Sequence, residues 1–92
     1  MTMMPAEPAP VDETIGQRIR MARVNACMTQ AQLGEHLGCS SQQIHKYERG
    51  SNRVSAGTLF VVAKVLDYPV DWFFMDPQNP AGTDPVASVP YH

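Results

Sequence analysis

Apolar residues recur along the first two thirds of the chain at helical spacing. Ile15, Ile19 and Ala22 stand at i, i+4 and i+7, which is one stripe of a helix. Asp12 precedes them as an expected N-cap, with Glu13 in the first turn where negative charge suits the helix dipole. This first helix is expected to run to about Asn25. Thr29 is an expected cap for a second helix, Gln30 to Leu37, which Gly38 ends. Two turns of helix do not hold alone, so this segment must lean on its neighbours. Ser40 then caps a third, Ser41 to Arg49, closed by Gly50. After a polar loop, Ser55 caps a fourth, Ala56 to Leu66, with Leu59, Val62, Ala63 and Leu66 on one side. Pro69 interrupts, and Val70 to Met75 reads as a short fifth helix rich in rings: Trp72, Phe73 and Phe74. Nothing alternates as a strand pair would. The pattern predicts an all-α domain over residues 12–76.

The flanks differ in kind. Residues 1–11 are Pro-, Ala- and Met-rich without periodicity and are read as a flexible arm. From Pro77 onward, four prolines fall in sixteen residues, which is read as a tail. At 92 residues and 43% hydrophobic, the chain has room for one domain with a modest core. Its longest apolar run, Leu59 to Ala63, is far short of the roughly 20 residues a membrane span needs. The start has neither basic residues nor an apolar stretch of signal type. A cytoplasmic protein is expected. Cys27 and Cys39 are read as small buried thiols in preference to a disulfide.

The net charge of −2 conceals a strong asymmetry. Between Gly16 and Arg53 lie six bases (Arg18, Arg20, Arg23, Lys46, Arg49, Arg53) against two acids, Glu35 and Glu48. The other seven acids fall outside, offset there only by Lys64. One face is thus suited to phosphate and another kept away from it. A merely solvated helical surface accounts for the charge equally well.

The informative stretch is QAQLGEHLGCSSQQIHKYER, residues 30–49. Two short helices crossing steeply through a tight turn need a side chain of almost no size where they meet. Gly34 stands there, inside a helix, where glycine costs about 1 kcal/mol relative to alanine. Gly38 suits a positive φ in the turn. Leu33 and Leu37 from one helix, Ile44 and Tyr47 from the other, supply the inner faces, and Cys39 fits as a small plug. With Ile44 and Tyr47 inward, Ser41, Gln42, His45, Lys46 and Arg49 remain outside.

This segment resembles the helix-turn-helix of the phage repressor and Cro-type regulators, the Xre-like group. The resemblance rests on Gln30, Ala31, Leu33, Gly34, Leu37, Gly38, Ile44, Glu48 and Gly50. It extends from Ile15 to Phe74 through the late Pro-Val-Asp-Trp-Phe stretch, about two thirds of the chain. It implies a compact five-helix repressor-like bundle whose second and third helices bind double-stranded DNA. The third helix then enters the major groove, with Ser41, Gln42 and Lys46 at the positions that reach base edges; His45, outside beside them, is a further expected base contact or simply a surface residue. Gln42 suits adenine and Lys46 suits guanine. Gln30, at a helix start, is expected on a phosphate, with Arg49, Asn52, Arg53 and Arg18 flanking it. Arg20 adds to the field or is only solvated. The resemblance also implies a partly buried ion pair between Arg23 and Glu48, which assigns both to structure.

Other chemistries fit poorly. His36 and Cys39, with His45 and Cys27 nearby, lack a second Cys pair at finger spacing, so no metal is expected. Ser40 and Ser41 near His45 have no strained nucleophile turn and no orienting acid, so neither an enzyme nor a cofactor is expected. The simplest reading is a repressor acting as a homodimer on a palindromic operator. One or two rings of Trp72, Phe73 and Phe74 should pack in the core, with the rest at a subunit interface. Two other readings stand beside it. One is an antitoxin-like protein whose tail wraps a protein partner; the other is an interaction module that has lost DNA binding.

Overall fold

In the computed structural model, which describes residues 10–76, ten apolar side chains meet in one core. They are drawn from four helices and a terminal turn: α1 (Pro10–Asn25), α2 (Gln30–Leu37), α3 (Ser41–Arg49), α4 (Ala56–Leu66) and a 3-10 helix, Val70–Phe74. The expected stripes supply most of it. Ile15, Ile19 and Ala22 come from α1, and Leu59, Val62, Ala63 and Leu66 from α4. Leu33 and Ile44 add one side chain each from α2 and α3, and all ten are buried. Strands are absent among the described residues.

Each helix of the central trio starts on the expected cap. Thr29 accepts from the backbone N–H of Gln32, and the Gln32 side chain accepts in return from the Thr29 N–H. This reciprocal box satisfies two donors that the first turn would leave unpaired. Ser40 caps α3 and Ser55 caps α4 in the same way, without the return bond. Gly38 ends α2 at φ 74°, as the turn requires.

Three expectations need correction. Helix α1 begins at Pro10, so Asp12 is not its cap but a buried member of its first turn. Proline at the first helical position has no N–H to leave unpaired and a φ already suited to the helix. The last element winds as a 3-10 helix, because five residues after Pro69 give little room for i to i+4 bonding. Cys27 is exposed, closing α1 at φ 57°, and only Cys39 is half-buried, where burial pushes its thiol pKa up. The remainder of the expected arm (1–9) and the whole tail (77–92) lie outside the described residues.

Candidate nucleic-acid interface

The α2–α3 crossing is as tight as the sequence predicts. A Cβ on Gly34 would collide with the carbonyl oxygen of Cys39 and lie 3.3 Å from the carbonyl carbon of Ser40. A second close approach, at Gly16, leaves no local mark in the sequence. At Gly16, a Cβ would meet the carbonyl oxygens of Tyr47 and Glu48 at the end of α3. Gly16 therefore sets how closely α1 supports the helix below it. Asp12, Gly16, Ile19 and Arg23 fall at i, i+4, i+7 and i+11, a second stripe that the sequence carries but apolarity alone does not show.

Gripped from above, α3 divides cleanly. Ile44 and Glu48 are buried, Gln43 and Tyr47 half-buried, while Ser41, Gln42, His45, Lys46 and Arg49 are exposed. The structure brings Ser41, Gln42, His45 and Lys46 together with Gln30 around one open cleft of about 340 Å³. The four residues expected to read bases and the one expected at the first phosphate thus share a surface. A second cleft, about 650 Å³, runs on from it past Arg20, Thr29, Gln30 and His45. Arg20 and Arg23 are thus two of the six bases of the positive stretch that line this side.

A buried charge holds the frame. The Glu48 carboxylate accepts from Arg23 twice, Nε to Oε2 at 2.6 Å and Nη2 to Oε1 at 3.1 Å. Arg23 Nη1 also donates to the Met28 carbonyl at 2.8 Å. Side-chain exposure is 12% for Arg23 and 3% for Glu48, so the pair is sheltered from solvent screening. Glu48 Oε1 accepts a further bond from Gln30 Nε2 at 3.0 Å. One carboxylate therefore ties the end of α1, the start of α2 and the end of α3. Its hold on one amide N–H of Gln30 aligns that side chain within the cleft, an orientation the residue pattern did not reveal.

Arg18 must be removed from the phosphate candidates. It is 7% exposed, its Nε donates to the Met75 carbonyl at 2.8 Å, and its guanidinium lies 4.4 Å over the Trp72 ring. It stands at i+3 from Ile15, within the buried stripe, and that position was the available signal. Its work is to fasten the 3-10 helix to α1. Arg53 and Asn52 are exposed in the loop after α3, and Arg53 Nε lies 3.6 Å from the Asp12 carboxylate.

The ring cluster is spent largely inside the chain. Phe73 is fully buried, so it has no surface to offer a subunit interface. Trp72 stacks on Tyr68 with centroids 4.1 Å apart and meets Phe73 edge-on at 5.0 Å. Phe74 is half-buried beside Val11, Ile15 and Leu59. Among the described residues, no three His, Cys, Asp or Glu side chains converge as a metal site would require. No helix there is long and apolar enough to cross a membrane.

Comparison with known proteins agrees with this geometry. The helix-turn-helix family model matches residues 19–73. An uncharacterized HTH-type transcriptional regulator of Sinorhizobium medicae is 46% identical over 80 residues, covering 86% of this chain and 58% of the relative. The HTH-type transcriptional regulator DicA of Escherichia coli is 34% identical over 73 residues, covering 79% of this chain and 54% of DicA. The chain thus spans little more than half the length of these relatives. Among solved structures, the P22 c2 repressor in complex with a synthetic operator superposes with TM-score 0.61 at 30% identity. That match covers 65% of this chain and 91% of the repressor. The restriction-modification controller protein C.AhdI of Aeromonas hydrophila gives TM-score 0.63 at 27% identity, covering 67% and 94%. With residues, crossing geometry and relatives in accord, the chain belongs to the helix-turn-helix family, among the phage repressor and Cro-type (Xre-like) proteins.

Proposed function

We propose that the protein is a sequence-specific regulator of transcription that binds double-stranded DNA, acting as a repressor in a homodimer on a palindromic operator. One observation carries this reading. The outer face of α3 presents Ser41, Gln42, His45 and Lys46 in a single open cleft with Gln30, while the helix is locked from behind by Ile44 and Glu48. An amide, a cation, a hydroxyl and an imidazole on a rigid rod match the donor and acceptor edges of the major groove. Gln42 reads adenine and Lys46 reads guanine; Gln30, Arg49, Asn52 and Arg53 hold the backbone and set the register. The protein has no catalytic role in this reading, and its place is the nucleoid of the cytoplasm. The DNA-bound P22 c2 repressor among the similar structures supports it. Partner binding through residues 77–92 concerns a segment outside the described residues.

Base reading is tested by alanine at Gln42 or Lys46. Each change should cost about 1–3 kcal/mol on a selected site and flatten preference at one base pair. Equal losses on selected and random duplexes would move those residues to the phosphate contacts.

Arg53 supplies a separate test. Its pairing with Asp12 is long, at 3.6 Å, and although the Asp12 side chain is only 6% exposed, the arginine side chain is 67% exposed, so solvent reaches the guanidinium. A phosphate can therefore recruit the guanidinium. Arg53→Ala should weaken binding to all sequences and make the slope of log affinity against log salt shallower by about 0.9. An unchanged slope would show that Arg53 touches no phosphate.

A further inference from the structure

At the 3-10 helix Phe73 is enclosed and Trp72 stacks on Tyr68, which leaves Val70, 39% exposed, and the adjoining Met75, 42% exposed. The outer face of α4 offers more. Phe60 is 54% exposed and Val61 39% exposed in the middle of that helix. The two project about 100° apart around the helix, with Gly57 and Lys64 between them, and the Lys64 ammonium lies 5.2 Å from the Phe60 ring centroid. The described glycines sharpen the point. Gly16 and Gly34 admit close backbone neighbours, and Gly38 and Gly50 adopt positive φ. Gly57 does neither: a Cβ there would have nothing within 4 Å, although glycine is among the poorest helix formers. It lies one turn before Phe60, and Gly57 and Val61 floor a cleft of about 440 Å³ with His36 and Leu37. Knob and hollow thus lie on one face, one turn apart.

A two-fold axis requires one surface to be complementary to itself. We propose that this face of α4 is the homodimer contact, occupied by a second copy of the same chain with the two α4 helices antiparallel. An axis near Phe60 and Val61 sets Phe60 of each copy into the Gly57–Val61 hollow of the other. The same register lays the Lys64 stem over the flat Gly57 of the second copy. It also brings the exposed Asp67, at the C-terminal end of α4, beside the N-terminus of the opposite helix. A carboxylate suits the positive end of a helix dipole, so the charges of the stripe are complementary in this orientation. The DNA cleft shares none of its lining residues with this hollow, so both surfaces serve at once. One helix face falls at the low end of interface sizes, which implies a weak dimer strengthened when both copies sit on one operator.

The inference rests on the dimeric reading above, and the experiment separates the two. Sedimentation equilibrium of the full chain is compared with Phe60→Glu and Gly57→Leu, alongside thermal melts and titrations on half-site and palindromic duplexes. The expected result is a reversible dimer for the unaltered chain, with a dimer Kd raised about thirty-fold or more by either substitution. Half-site binding should persist in both. Gly57→Leu should melt no lower than the unaltered chain at concentrations where both are monomeric, since the position is open. If Phe60→Glu fails to fold, Gly57→Leu decides alone. Dimers of unchanged strength in the folded variants, or an unaltered chain that stays monomeric with and without palindromic DNA, would overturn the assignment. A Phe60-dependent dimer that prefers no DNA sequence would leave this surface standing and remove the operator reading.

Discussion

Glu48→Ala is expected to destabilise the domain by about 3–5 kcal/mol, because it strands the Arg23 guanidinium in a sheltered site. The carboxylate side chain is 3% exposed and receives three hydrogen bonds, two from Arg23 and one from Gln30. Little water can replace them. Equilibrium denaturation of the two proteins measures the difference directly. A companion variant separates the cost of breaking the pair from the worth of having it. Replacing Arg23 and Glu48 together with methionine should recover most of the lost stability, since a packed apolar pair often equals a buried ionic one. It should not recover DNA affinity in full, because Gln30 loses the carboxylate that aligns it. A single-mutant loss below about 0.5 kcal/mol, the range of ordinary surface changes, would show that the pair is solvated in solution.

Gly16→Val is expected to prevent α1 from docking on α3. The colliding atoms are the backbone carbonyl oxygens of Tyr47 and Glu48, close to where α3 ends. Overpacking against mobile side chains typically costs about 1–3 kcal/mol. Here the obstacle is helix backbone, which yields less, so the loss should exceed that range and leave little folded protein at ambient temperature. Circular dichroism and one-dimensional NMR report it. A variant with native chemical-shift dispersion and an unaltered melt would mean that α1 and α3 stand farther apart than described. The same physics operates at Gly34 against Cys39, where the steep crossing made it foreseeable.

Periodicity and capping residues carried most of the fold. Thr29, Ser40 and Ser55 each bond as expected because an N-cap depends on three or four consecutive residues. The exposed face of α3 was readable for a related reason: once Ile44 faces inward, helical geometry places its neighbours. Long-range pairing was harder to see. Arg18 reads in the sequence as a phosphate contact, yet its partners are the Met75 carbonyl, 57 residues away, and the Trp72 ring. Charge counting treats every arginine alike, and only its position one turn after Ile15 separated it from Arg20. Gly16 went unnoticed because a glycine in the first helix has no local consequence; its reason lies on α3. Gln30 was placed correctly at a helix start, but its bond to Glu48 joins residues that only the folded crossing brings together. Phe73 and Phe60 show the limit from the other side. Three rings in succession drew attention to the 3-10 helix, while among the described Phe, Tyr and Trp residues the most exposed, Phe60, stands on α4.

Methylation protection on a selected binding site reports which groove α3 occupies, because dimethyl sulfate attacks guanine N7 in the major groove and adenine N3 in the minor groove. Symmetric guanine N7 protection is expected in the two half-sites, with minor-groove adenines left reactive, and restored reactivity at one guanine per half-site in Lys46→Ala. Tight binding with every guanine N7 still reactive would place the protein elsewhere on the duplex and contradict the assignment of α3 as the reading helix.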